Sequence, residues 1–133
     1  MPSFVLTAHA EAPVEEVWKL LHDPGRFPEW WSGVETVRPD GRDHFTLWPD
    51  GYPDFPMAQQ LRTDRADGRV TISCLVSDLE FQWRLSEAGE ATDIEVQVHL
   101  PDQEAHRLPR QRELLTESIS RLAALAVLGA ATP

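Results

Sequence analysis

The sequence predicts an α+β fold, an antiparallel meander sheet with one apolar face laid against a long C-terminal helix. Three observations predict it. Turn signals at Ala66-Asp67-Gly68, Ser77-Asp78 and Gly89-Glu90 separate runs in which apolar and polar residues alternate. The register set by the last turn puts Ala88 opposite Ala91, Leu85 opposite Ile94, Trp83 opposite Val96, Phe81 opposite Val98 and Leu79 opposite Leu100, all on one face. Beyond Pro101 the apolar period changes from two residues to the three-and-four spacing of a helix.

Each element follows from local chemistry. Residues 3–11 (SFVLTAHAE) alternate as a first strand, ended by Ala12-Pro13, where proline suits the opening turn of a helix. Val14 to His22 form that helix. Its stripe is Val14, Val17, Trp18 and Leu21, and Glu15 and Glu16 sit at the positive end of its dipole. Asp23-Pro24-Gly25 stops it, and a short helical turn over Arg26 to Glu29 delivers Trp30 and Trp31. Val34–Arg38 and His44–Trp48 pair as a hairpin around Asp40-Gly41, and the run WPDGYPDFP (48–56) is too rich in proline and glycine for a regular element.

A four-strand meander then occupies about Met57 to Leu100. The turn at Ser77-Asp78 sets Val76, Cys74, Ile72 and Val70 against Leu79, Phe81, Trp83 and Leu85, and the turn at Ala66-Asp67 adds Leu61, Gln59 and Met57 to the same face. The total is about seven strands. The opposite face carries Arg84 across from Glu95 and Glu80 across from His99, as befits a solvated surface. From about Glu104 to Leu128 the apolar residues Leu108, Leu115, Ile119, Leu122 and Ala126 follow one helical stripe, with Leu114 and Leu125 at its edge. Pro109 either opens the regular helix or kinks one that begins at Asp102.

Bulk properties exclude several function classes. At 133 residues and 41% hydrophobic content the chain suits a single domain, 1–133. Twelve basic against 22 acidic residues give a net charge of −10, which repels phosphate backbones and anionic headgroups, so neither nucleic acid nor membrane insertion is expected. Cys74 is the only cysteine and cannot form an internal disulfide; Met1-Pro2-Ser3 carries no basic leader, and no stretch is expected to reach the length of a membrane span. A cytoplasmic protein, monomer or homodimer, is the expectation.

Two motifs carry a family resemblance. Ala12-Pro13-Val14-Glu15-Glu16-Val17-Trp18 resembles the APxxxVW signature that opens the first helix in the polyketide cyclase/dehydrase-like branch of the START and Bet v1-like superfamily, SRPBCC, and Asp23 to Trp31 (DPGRFPEWW) resembles the segment that follows. The order of elements agrees over essentially the whole chain, as one START/Bet v1-like domain. The resemblance implies a helix-grip fold, in which a curved antiparallel sheet wraps the last helix and a cavity between them takes hydrophobic small molecules. It does not imply one reaction.

The candidate site is therefore that cavity. Met57, Gln59, Leu61, Cys74, Phe81 and Trp83 would form its wall, with Phe45 and Leu47 from the preceding hairpin, Trp31 at the rim, and Leu115, Ile119 and Leu122 as the lid. The competing reading is a filled core. Gln59 is the one strongly polar member of the wall, and a buried amide must find partners or cost about 1 to 3 kcal/mol. A ligand group, water, backbone, or the Trp18 or Trp31 indole could supply them.

No metal or cofactor is expected: the histidines at 9, 22, 44, 99 and 106 form no i, i+4 pair or Cys/His cluster. His9 is ambiguous in phase and could face the cavity, and Tyr52 could reach its mouth or lie on the surface. Cys74 is expected to face inward among apolar residues, which argues against a nucleophile. No catalytic constellation is evident. Three readings stand: a binder or carrier of a lipid or aromatic, polyketide-like molecule; an aromatase/cyclase-like enzyme, which needs ionisable groups converging on the pocket; or a protein-interaction module with a filled core.

Overall fold

The protein is described from a computed structural model covering residues 2–131; Met1 of the Met1-Pro2-Ser3 stretch lies outside the described residues, as do positions 132 and 133. Strand β1 (Ser3–Ala10) leads into α1 (Val14–Leu21), a 3₁₀ turn (Pro24–Arg26) and α2 (Phe27–Trp30). The strands β2 (Val34–Pro39), β3 (His44–Pro49), β4 (Met57–Asp64), β5 (Arg69–Cys74), β6 (Glu80–Ala88) and β7 (Ala91–His99) follow. A second 3₁₀ turn (Asp102–Arg107) precedes α3 (Leu108–Ala131). The seven strands form one antiparallel sheet in the order β1-β7-β6-β5-β4-β3-β2. This is the helix-grip arrangement, with α1 and α2 carrying the chain across the inner face from the β1 edge to the β2 edge.

The expected alternation sets the phase of the sheet. Ala88↔Ala91, Leu85↔Ile94, Trp83↔Val96 and Phe81↔Val98 pair as read from the sequence, as do Gln59↔Cys74 and Leu61↔Ile72. Leu79 and Leu100 lie just outside their strands, both buried. Arg84 faces Glu95 and Glu80 faces His99 on the outer side. One register differs. In place of a two-residue turn at Ser77-Asp78, the backbone loops over 75–78, with Cys74 N–H donating to Leu79 O at 2.8 Å and Asp78 at a positive φ of 58°. Ile72 therefore faces Phe81 and Val70 faces Trp83, two residues from the expected partners. A shift of two keeps each side chain on its face, but it puts Val76 in the turn, 64% exposed.

Helix α3 packs on β1, α1 and α2. Leu115, Ser118, Ile119, Leu122 and Ala126 are its buried stripe. The stretch expected to be helical from Glu104 begins as 3₁₀ at Asp102, and α geometry starts at Leu108, with Pro109 in the first turn where its missing N–H costs nothing. The expectation that no stretch reaches membrane-spanning length is also corrected: the helical stretch Asp102–Ala131 holds an 18-residue window of mean hydropathy 1.4, long and apolar enough by length and composition.

Candidate functional site

The inner face is not filled uniformly. Beneath the turn over 31–34 and the first turns of α3, the β3–β5 side of the sheet leaves a cavity of about 130 Å³. Phe45 and Leu47 of β3, Met57 and Gln59 of β4, Ile72 and Cys74 of β5 and Phe81 of β6 form its floor. Trp31 closes one side, and Gln111 and Leu114 of α3 cover it.

Packing fixes the Trp31 ring. Its centroid lies 5.1 Å from Phe81, at 90°, 5.6 Å from Trp83, and 5.2 Å from the stacked Trp30. Trp30 is a core plug with no exposed surface, anchored by its indole N–H donating to Leu20 O at 3.0 Å. The stretch 31–34 turns at Gly33, whose φ of +92° favours glycine, and a Cβ there would lie 3.3 Å from Leu114 Cδ1. Ser32 N–H donates to Ser118 Oγ at 2.8 Å, and Arg121 donates to Glu29 O at 3.0 Å, so α2 and α3 are tied together at the mouth. A surface groove bearing Tyr52, Arg110 and Glu117 adjoins the cavity, sharing Ser32, Gly33, Pro49 and Leu114 with it.

Two polar groups in the lining are short of partners. Gln59 is 4% exposed, and its amide nitrogen donates to Met57 O at a long 3.4 Å. Neither the Trp18 nor the Trp31 indole supplies the bond considered from sequence. The Ser77 hydroxyl is buried with no hydrogen-bond partner. The remaining polar side chains on the lining are Ser32, Gln111 and the Cys74 thiol; no carboxylate, imidazole or guanidinium is among them.

Of the residues read from sequence, Trp31, Phe45, Leu47, Met57, Gln59, Cys74 and Phe81 come together around this space. Leu61, Trp83, Leu115, Ile119 and Leu122 do not: they are buried in the packed core, and the lid is Gln111 and Leu114 instead. The stripe of α3 was legible, but the helix packs on β1 and α1, and Leu115 and Leu122 are buried away from the cavity. Sequence reasoning missed Ser32, Gly33, Ser77 and Gln111. A turn serine and a helix-edge glutamine carry no signal that separates them from surface residues. Ser118, a serine inside an apolar stripe, did offer one.

The ionisable candidates lie elsewhere. His9 is on the outer face, bonded to Asp93 Oδ1 at 2.8 Å and Glu11 Oε1 at 2.9 Å, and those two bonds, Asp93 first, raise its pKa above the usual imidazole value. Tyr52 is 58% exposed and packs edge-on against Phe55. Among the described residues no three His, Cys, Asp or Glu side chains cluster as a metal site.

The family model described as polyketide cyclase/dehydrase and lipid transport matches residues 1–126. No curated protein matches the chain. Among solved structures, the di-domain ARO/CYC StfQ from the steffimycin biosynthetic pathway is similar at a TM-score of 0.78 and 18% identity, over 95% of this chain and 45% of that one. XoxI from Bacillus cereus is similar at 0.75 and 17%, covering 97% and 99% of the two chains. A protein from Nitrosomonas europaea gives 0.75 and 17%, covering 96% and 95%.

Proposed function

The chain belongs to the polyketide cyclase/dehydrase and lipid transport family, and from that premise we propose that it binds a hydrophobic small molecule in the cavity beside Trp31, as a binder or carrier. The observation that carries this reading is the mismatch between wall and contents. A mostly apolar space is lined by a buried amide with one long bond and a buried hydroxyl with none. A buried polar group left unpaired costs about 1 to 3 kcal/mol, and a ligand oxygen or N–H would remove that cost on entry. The cyclase reading needs a proton donor or base against the bound molecule. The lining offers amides, hydroxyls and one thiol, and His9 and Tyr52 are both outside it.

The test is a nitrogen-edited NMR titration with a panel of phenols, naphthols and fatty acids. Binding at this site shifts the Gln59 side-chain amide and the Trp31 indole resonances and leaves the outer strand face unmoved. A panel that shifts neither resonance, or a response confined to the outer face, overturns the proposal.

A further inference from the structure

Resting on that binding reading, we infer that the ligand is a neutral, single-ring compound, a phenol or aryl ketone in chemical class, whose oxygen is held by Gln59 and Ser77. Size comes first. The cavity measures about 130 Å³, close to the ~150 Å³ of an apolar cavity that accepts one benzene and well below the ~300 Å³ at which pockets for larger ligands begin. A fused polycycle or a long acyl chain would have to leave part of itself outside it, in the adjoining surface groove.

The walls make this limit a property of the fold. Phe45 is fully buried and set edge-on to Phe27 at 5.6 Å, while Trp31 is wedged between Trp30, Phe81 and Trp83. Moving Trp31 outward would also part α2 from α3, breaking the Ser32–Ser118 and Arg121–Glu29 hydrogen bonds. A side chain at Gly33 would lie 3.3 Å from Leu114 Cδ1, so the glycine leaves the mouth no wider than its own backbone allows there.

Charge and shape narrow the class further. With no charged side chain on the lining, an ionised carboxylate or ammonium would lose its hydration without a counter-ion. Ring faces and edges from Trp31, Phe45 and Phe81 favour an arene, which can stack or meet them edge-on. Gln59 and Ser77 each offer both a donor and an acceptor, so either a hydroxyl or a carbonyl on the ring is served.

The experiment is a set of NMR titrations with p-cresol, toluene, 2-naphthol and palmitate, read at the Trp31 indole and nearby methyl groups. p-Cresol is expected to bind at least about tenfold more tightly than 2-naphthol or palmitate. Gln59→Leu is expected to reduce the preference for p-cresol over toluene by about fivefold while toluene still binds, and Ser77→Ala, on a turn, gives a second and milder loss of the same kind. If 2-naphthol or palmitate binds as tightly as p-cresol at these resonances, the size limit is wrong while the binding reading stands. If the preference over toluene is unchanged in both variants, the oxygen assignment is wrong. If none of the four compounds moves any of these resonances, the binding reading itself fails.

Discussion

The inner face of the sheet is apolar from β1 to β3, yet its two halves are covered differently. Under α1 and the body of α3, the β1-β7-β6 half is filled: Val17, Leu21, Val96, Val98, Leu115 and Leu122 have no exposed surface. Over β3–β5, only Trp31 and the first turns of α3 close the space, and a cavity remains. Hydrophobicity is common to both halves, so it does not decide which is hollow. What decides is where α3 rests. Packed on β1 and α1, it sends only Gln111 and Leu114 over the far side.

The sharpest way to break the comparison is to cut the same kind of side chain in each half. Leu122→Ala should destabilise by about 2 to 5 kcal/mol, because the filled half closes poorly around a void. Met57→Ala, on the cavity wall and already half-buried, should lose about 1 kcal/mol or less, since one side of the residue lacks packing partners to forfeit. Urea denaturation of both variants measures the gap, and equal losses would mean that the two halves are packed alike.

Next in size, Gly33→Ala should destabilise by about 1 to 3 kcal/mol, from a side chain forced into left-handed backbone and against Leu114. Thermal unfolding reads the loss, and slower exchange of bound ligand reads the tighter mouth.

A third pair contrasts polar groups. Thr92 is fully buried in the filled half and donates to Ala12 O at 2.8 Å, so Thr92→Val should cost about 1 kcal/mol. Gln59→Leu should instead be neutral or stabilise by about 1 kcal/mol in the ligand-free protein, as its amide holds only the 3.4 Å bond. Opposite signs in the two denaturation curves support the account.

The smallest effect separates the outer face from the inner. The His9 pKa is raised by Asp93 and then Glu11, so its stabilising contribution is complete below the ordinary value of 6.5 and is lost as pH rises through the elevated one. His9→Gln should remove that slight fall in melting temperature above neutrality. Ligand affinity should show no matching pH step in either protein.

Much of this was legible in the chain, for reasons that differ by residue. The Gly89-Glu90 turn sets β6 against β7 because period-two alternation on both sides permits one phase. The same logic left the β5–β6 partners wrong by two, since a shift of two preserves every face and only the loop over 75–78, with Asp78 in left-handed backbone, distinguishes them. Gln59 stood out as one amide on an apolar wall. Leu115, Ile119 and Leu122 were legible as a buried stripe but not as to what they face, because a helix's period says nothing of its direction across a sheet. Ser77 and Gln111 reach the cavity only through the turn and the helix placement, neither of which is encoded in local pattern.

The most direct test of the half-hollow sheet needs no knowledge of the natural ligand: crystals pressurised with xenon, which enters dry apolar cavities. The account predicts xenon density between Trp31, Phe45 and Phe81, with none between α3 and β1. Density at the α3–β1 seam, or an empty space beside Trp31, would contradict it.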